Sequence, residues 1–213
     1  MRSSLFLLSL LVPLASATLG FDTYQNVSIS QFECMRKNNY DFFIARVWDF
    51  DGVYNLQGMN SIRNARAAGF ASVDAYMEPC SRTKCAHGAN QVEAVINRLR
   101  STNTTIGRLW LSIEVEAWPQ DTNVNEKFIV SILDAATRMG MQVGIYTKPD
   151  DWHEIVGYST AASKHPLWWD DHGAQETFDG FVPFGGWEKP TMRQTNGTES
   201  GACGIRYETN WRP

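Results

Sequence analysis

The sequence predicts an α/β protein, an irregular β/α barrel in which five β/α units are closed by three further strands. Between residues 19 and 156, short apolar runs alternate with helical patterns, an order that favours β/α units and a parallel sheet. After Lys164 the chain has extended segments separated by Gly and Pro, with no helix-length periodic stretch. A doubly wound open sheet is the alternative. No glycine-rich nucleotide loop follows any of the strands, so the barrel is favoured.

The individual elements are predicted from apolar spacing and from cap and stop signals. Ser28 is a candidate cap for the first helix, the second helix ends before Gly69, and the fourth has Gly140 just beyond its end. The predicted strands of the five units cover residues 19–24, 42–48, 71–77, 108–116 and 142–147. The predicted helices cover residues 28–32, 59–68, 89–100, 124–138 and 151–156, and the closing extended segments cover residues 166–169, 178–184 and 191–195.

The N-terminus has the three parts of a secretory signal peptide. Arg2 supplies a basic start, residues 5–14 are mostly apolar, and Ala15 and Ala17 form an A-x-A ending. The sequence therefore predicts a signal peptide over residues 1–17, a secreted product and one mature domain over residues 18–213. No later stretch reaches the roughly 20 apolar residues of a membrane span, so no membrane association is expected after cleavage.

Composition and charge exclude some partners and suggest others. The net charge is −4 and there is no basic block, which argues against nucleic acid binding. The 8 tryptophans and 7 tyrosines are residue types common in carbohydrate clefts, although most aromatic side chains pack in a core or at its rim. Three glycosylation sequons begin at Asn26, Asn103 and Asn196, as expected of an extracellular surface. We expect a monomer that needs no metal or other cofactor.

The 4 cysteines of a secreted chain are expected to form two disulfide bonds. Cys80 and Cys85 enclose a short loop and are the favoured local pair, which leaves Cys34 to pair with Cys203. A zinc site made by Cys80, Cys85 and His87 is the competing interpretation. Its ligand set is incomplete, and an oxidising compartment favours the disulfide.

The central predicted strand ends in two carboxylates. Side chains alternate along a strand, so Ser112, Glu114 and Glu116 would share one face. A glutamate at the end of an apolar strand, close to Trp110 and Trp118, could have a raised pKa through desolvation and act as a general acid. The alternative is that both glutamates lie in a solvated loop, and this alternative is stronger for Glu116.

Catalytic side chains of β/α barrels lie at the carboxyl ends of the strands. Asp74 could equally be a buried structural hydrogen-bond acceptor, and a loop role is favoured for Asp49 and Asp51. No Gly-x-Ser-x-Gly elbow supports Ser112 as a nucleophile, and no paired-histidine motif supports a metal hydrolase. The candidates at predicted strand ends are Asp22, Asp49, Asp51, Asp74, Glu78, Glu114 and Tyr146, with Glu208 in the last segment.

The order of several short motifs resembles the glycoside hydrolase family 25 lysozymes, in particular the invertebrate type of nematodes and amoebae. The resemblance extends over essentially the whole mature chain, and it rests on the order and spacing of the motifs together. They are Gly20-Phe21-Asp22, residues 110–114, 144–147, 166–169 and 184–190, Gln194, residues 203–205 and residues 207–210.

The resemblance implies an irregular barrel and a secreted enzyme that cleaves the bond between N-acetylmuramic acid and N-acetylglucosamine in bacterial peptidoglycan, for digestion or defence. In the family, an aspartate on strand one and the glutamate of a D-x-E pair are catalytic, and these positions match Asp22 and Glu114. Glu114 is then the proton donor and Asp22 its partner carboxylate. The residues expected to contact the substrate are Ser112, Tyr146, Trp168 and Glu208.

The chain departs from the family pattern at two positions. The D-x-E pair reads Ser112-Ile113-Glu114, so one carboxylate is missing, and Glu208 replaces the C-terminal aspartate. A serine cannot carry negative charge at neutral pH, so support for a cationic transition state would be weaker. Two functions are therefore predicted as alternatives: a secreted lysozyme, or a weakened or inactive relative that binds peptidoglycan or related glycans in innate immunity.

Overall fold

A closed barrel of eight strands forms the centre of the protein, as the sequence predicts. The computed structural model describes residues 17–115, 118–173 and 175–213, so residues 1–16 of the expected signal peptide lie outside the described residues. The strands are β1 (Thr18–Thr23), β2 (Tyr40–Asp49), β3 (Val53–Tyr54), β4 (Ser72–Met77), β5 (Leu109–Ser112), β6 (Val143–Thr147), β7 (Leu167–Asp170), β8 (Met192–Ser200) and β9 (Arg206–Arg212). The helices are α1 (Ile29–Lys37), α2 (Leu56–Ala67), α3 (Gly88–Ser101), α4 (Thr122–Arg138) and α5 (Pro149–Val156).

The strand order is β1-β9-β8-β7-β6-β5-β4-β2, and the pairing of β1 with β2 closes the ring. Strands β1, β2 and β4 to β8 run parallel, whereas β9 is antiparallel to both β1 and β8. The short β3 forms a hairpin with the end of β2 and stands outside the ring. Five β/α units therefore bring the carboxyl ends of their strands to one end of the barrel.

The observed elements differ from the predicted ones at several places: α1 and β8, for example, extend beyond their predicted ends to Lys37 and Ser200. The predicted extended segment 178–184 contains no strand; it is a loop whose rings pack on the barrel, Phe178 on Trp211 and Phe181 on Trp169, with centroids 5.0 and 5.2 Å apart. The third closing strand is instead β9. Strand β5 is also shorter than predicted, because its ladder ends at Ser112.

The core has two layers, one inside the barrel and one between the barrel and its helices. The large rings of the interior fit because two neighbouring positions have no side chain. A Cβ at Gly20 would lie 2.2 Å from the ring of Phe42, and one at Gly144 would lie 2.4 Å from the ring of Trp110. The interior side chains are Phe42, Ile44, Trp110, Tyr146, Trp168 and Met192, which fill the barrel beneath its carboxyl end.

Both expected disulfide bonds are confirmed. Cys34 on α1 is bonded to Cys203 in the turn before β9, and Cys80 is bonded to Cys85 in the loop that follows β4. The first bond ties the two ends of the mature chain together, and the second closes a small loop beside the carboxyl end of the barrel. Within the described ranges, no helix is long and apolar enough to cross a membrane.

Candidate active site

Glu114 stands just past the end of β5, and its backbone is fixed from three sides. The carbonyl of Ile113 accepts a hydrogen bond from the Thr147 hydroxyl at 2.7 Å, and the carbonyl of Glu114 accepts one from Trp118 Nε1 at 2.8 Å. The amide of Val115 donates to the Asp151 carboxylate. The chain that carries Glu114 is therefore held in place although the β ladder has ended.

The Glu114 carboxyl group is suited to hold a proton near neutral pH. Burial raises its pKa to about 7, and the negative charge of Asp170 contributes to the rise. The Ser112 hydroxyl donates a hydrogen bond to Glu114 Oε2 at 2.5 Å, which stabilises the ionised form and opposes the rise. Ser112 thus contacts the carboxyl group of Glu114 directly.

Asp22 lies on β1, inside the barrel wall, and is only 4% exposed. Its Oδ1 accepts hydrogen bonds from Asn210 Nδ2 at 2.7 Å and from Gln194 Nε2 at 3.2 Å. Burial raises the pKa of Asp22 well above its usual value, and the charge of Glu208, directly opposite on β9, adds to the rise. The two amide donors act against this rise because they favour the carboxylate.

Gln194 on β8 joins the polar groups of the site into one network. Its Nε2 donates to Glu208 Oε2 at 2.7 Å as well as to Asp22, and its Oε1 accepts from the Tyr146 hydroxyl at 2.7 Å. His172 Nε2 is 3.0 Å from the same oxygen. One buried amide therefore contacts side chains that come from three strands and a loop.

Five of the six predicted site residues line a single recess of about 170 Å³ at the carboxyl end of the barrel. Ser112 lines an adjoining recess of about 280 Å³, together with Glu114. Trp168 is only 1% exposed and packs 4.4 Å from Tyr146, centroid to centroid, so its ring is the floor of the recess. The structure thus brings the predicted residues together, while their catalytic and binding roles stay predictions.

Of the other sequence candidates, Glu78 also lines both recesses, whereas Asp74 and Asp49 make structural contacts. Asp74 accepts hydrogen bonds from the Arg108 amide at 2.9 Å and from Trp110 Nε1 at 3.1 Å, which is the structural role weighed above. Arg46 Nε lies 2.8 Å from Asp49 Oδ1, and Arg46 Nη1 lies 3.3 Å from Glu78 Oε1. Asp51 is exposed in the turn after β2, and Glu116 lies outside the described residues.

Sequence reasoning missed a charged group on the β7 side. Asp170 is 7% exposed at the end of β7, and Lys148 Nζ lies 3.6 Å from its Oδ2 and 3.5 Å from Asp151 Oδ2. His172 Nε2 is 3.2 Å from Asp170 Oδ1. A usable signal was present, since Asp170 follows Trp168 by two residues and so shares its inward face.

The fold and the site together define a class of protein. A β/α barrel with two buried carboxylic acids at the carboxyl ends of separate strands has the arrangement of a glycoside hydrolase, in which one acid donates a proton and the other supports positive charge. Among the described residues, no group of three His, Cys, Asp or Glu side chains could hold a metal ion.

Comparison with known proteins gives the family. Residues 14–195 match the family model described as lysozyme-like protein 1. The chain is 38% identical to lysozyme-like protein 5 of Caenorhabditis elegans, over 93% of each chain, and 34% identical to probable GH family 25 lysozyme 2 of Dictyostelium discoideum, over 95% of this chain and 94% of the other. The chain therefore belongs to the glycoside hydrolase family 25 lysozymes and lysozyme-like proteins.

A solved structure supports the same fold at greater distance. The muramidase from Acremonium alcalophilum superposes with a TM-score of 0.71 over 92% of this chain and 93% of its own, at 18% identity. The barrel predicted from the alternation of elements is thus a known architecture of lysozymes.

Proposed function

We propose that this protein hydrolyses the bond between N-acetylmuramic acid and N-acetylglucosamine in bacterial peptidoglycan. The observation that carries the proposal is Glu114, whose pKa burial raises to about 7, in one recess with Asp22. The names of the relatives, lysozyme and muramidase, support the same substrate.

In this proposal each acid has its own role. Protonated Glu114 donates its proton to the glycosidic oxygen of the leaving sugar, and Asp22 supports the oxocarbenium-like transition state from β1. The amides of Asn210 and Gln194 hold the Asp22 carboxylate in one orientation, so its charge is preorganised. Glu208 is held beside it by Gln194.

The alternative function is a weakened or inactive relative that binds the same polymer. Ser112 is the observation that favours it, because the family has a carboxylate where this chain has a hydroxyl bonded to Glu114. Loss of one charge near a cationic transition state commonly costs several kcal/mol, and each ~1.4 kcal/mol is roughly tenfold in rate.

The experiment compares hydrolysis and binding in the same preparations. Release of reducing ends from purified bacterial cell walls is measured for the unaltered protein, Glu114→Gln and Ser112→Asp, with Ser101→Asp on α3 as the control. We expect hydrolysis that Glu114→Gln abolishes; activity that survives this change contradicts the assignment. If the unaltered protein binds walls without cleaving them and Ser112→Asp gains activity, the binding function is the correct one.

Secretion, action outside the cell as a monomer, and a role in antibacterial defence or digestion belong to the same proposal. They are supported by the signal-peptide pattern of residues 1–17 and by two disulfide bonds, which persist in oxidising compartments. N-terminal sequencing of the exported product tests the first point, with Thr18 as the expected first residue; a product that keeps Met1 contradicts it.

A further inference from the structure

A second, larger recess lies beside the catalytic one. It has a volume of about 780 Å³ and lies between the loop that follows β4, the start of α3 and Trp118. Trp118 also lines the recess that holds Ser112 and Glu114, so the two recesses share a wall. We call the larger recess the loop pocket; none of the catalytic or substrate residues assigned above lines it.

The walls of the loop pocket are held in place by internal hydrogen bonds. Gln91, only 2% exposed on α3, donates from Nε2 to the carbonyls of Cys80 at 2.8 Å and Ala86 at 2.7 Å. Its Oε1 accepts from the Cys80 amide at 2.9 Å and from Trp48 Nε1 at 3.1 Å. With the Cys80–Cys85 disulfide, this amide clamps both ends of the loop, so little ordering entropy is lost when a ligand binds.

The lining of the loop pocket combines aromatic surface with positive charge. Trp48 and Trp118 supply rings, and Arg82 and Lys84 supply two cations against the one carboxylate of Asp51. Arg82 is oriented by Phe50, since Nη2 donates to its carbonyl at 3.1 Å and the guanidinium lies 5.4 Å from its ring centroid. Within the described ranges, neither cation is in a salt bridge, although the chain as a whole has a net charge of −4.

We propose that the loop pocket binds the acidic stem peptide of peptidoglycan, with a peptide carboxylate paired to Lys84 and Arg82. The proposal rests on the proposed function. In that polymer the peptide is attached to the N-acetylmuramic acid at the scissile bond, so it leaves the glycan close to Glu114. A neutral glycan would use the tryptophan rings but would leave both cations without a partner.

The shared wall gives the pocket a connection to the reaction. Trp118 Nε1 donates to the carbonyl of Glu114 at 2.8 Å, so one face of this side chain bounds the loop pocket while its nitrogen holds the acid. A peptide packed against Trp118 stabilises the contact that positions Glu114. The loop pocket therefore favours sugars that carry a peptide over bare glycan.

The first experiment compares two soluble substrates, glycan strands with their stem peptides and the same strands after an amidase has removed them. The preference is the ratio of the two kcat/KM values. We expect Lys84→Glu to reduce this preference about three- to tenfold, because an attractive contact becomes repulsive. The control is Lys189→Glu, an exposed lysine outside the pocket. An unchanged ratio overturns the proposal. If the ratio is unchanged because kcat/KM falls equally on both substrates, bare glycan occupies the pocket.

The second experiment does not depend on hydrolysis. Binding of an N-acetylated stem tetrapeptide, L-Ala-γ-D-Glu-L-Lys-D-Ala, is followed by tryptophan fluorescence in the unaltered protein, Lys84→Glu and Lys189→Glu. Saturable binding that weakens only in Lys84→Glu supports the pocket even if no hydrolysis is found. No binding by the unaltered protein, or equal binding by all three, overturns it.

Discussion

The two acids of the catalytic recess, Asp22 on β1 and Glu114 after β5, are both buried but are held in different ways. Asp22 belongs to a strand paired on both sides, and two side-chain amides donate to its carboxylate. Glu114 lies beyond the end of its strand, and among the described residues its carboxyl group accepts one hydrogen bond, from the Ser112 hydroxyl. Amide donors stabilise a charge, whereas sparse donation in a buried site favours the neutral acid. Burial raises the pKa of both acids, but two amide donors oppose the rise at Asp22 and one hydroxyl opposes it at Glu114. This difference in hydrogen bonding supports the proposed roles, Asp22 as the charged partner and Glu114 as the proton donor.

The largest expected effect, on the rate of hydrolysis, comes from removing the negative charge of Asp22. Asp22→Asn replaces the carboxylate that accepts from Asn210 and Gln194 by a neutral amide. The negative charge that supports the cationic transition state is then lost. We expect kcat to fall about 10²- to 10³-fold, the usual effect of losing preorganised electrostatic stabilisation. Reducing-end release from cell walls measures it, with exposed Asp179→Asn as the control. A variant that keeps more than about a tenth of the activity would have lost less than ~1.4 kcal/mol of transition-state stabilisation. That result would contradict the role of Asp22.

A smaller effect, on the stability of the protein, is expected from substitution of Glu114. The folded pKa of Glu114 is about 7 and the unfolded value is roughly 4.3, so the folded state binds the proton more tightly. The stabilisation that comes from this tighter proton binding is fully present below the unfolded pKa. It is lost as pH rises through about 7, the folded pKa. Glu114→Gln cannot ionise, so we expect it to raise the free energy of unfolding at pH 8 by about 1–3 kcal/mol, with the gain vanishing near pH 4.

Urea unfolding at the two pH values measures this gain, with exposed Glu154→Gln on α5 as the control. The same substitution removes hydrolysis, so a variant that is more stable and yet inactive separates the catalytic role from a structural one. If Glu114→Gln is less stable than the unaltered protein at pH 8, burial of the ionised Glu114 carboxylate does not destabilise the fold.

Most of the fold could be predicted from sequence, because the apolar periods of five β/α units are local signals. The segment 178–184 was mistaken for a strand because its apolar rings suit either a strand or a loop that packs on the barrel, and apolar content alone does not separate them. Strand β9 was not predicted because Glu208, Thr209 and Asn210 are polar. Two of them serve the site, since Glu208 lines the recess and Asn210 donates to Asp22.

The site could be predicted only in part, for a reason of distance along the chain. Asp22 and Glu114 were found from strand ends and family motifs. The contact from Gln194 to Asp22 spans 172 residues, and its existence depends on the register of β8, β9 and β1. The spacing of Asp170 from Trp168 gives its direction, but its contact with Lys148 after β6 and its effect on Glu114 after β5 depend on the pairing of β5, β6 and β7. Pairings between strands decide these contacts, and no local pattern encodes them.

The smallest expected effect, on the pH dependence of the reaction, comes from removing the Ser112 hydroxyl. The hydrogen bond from Ser112 favours the ionised form, so it holds the pKa of Glu114 below the value that burial alone would give. Ser112→Ala removes this donor and should raise the pKa of Glu114. The alkaline limb of kcat/KM, measured on soluble peptidoglycan fragments between about pH 5 and 9, should move to higher pH, because this limb reports the essential acid of the free enzyme. Ser101→Ala is the control, since its hydroxyl donates only to the Arg98 carbonyl among described contacts. A limb that stays in place or moves to lower pH would mean that Ser112 does not stabilise the Glu114 carboxylate, and the contrast between the two acids would then rest on burial alone.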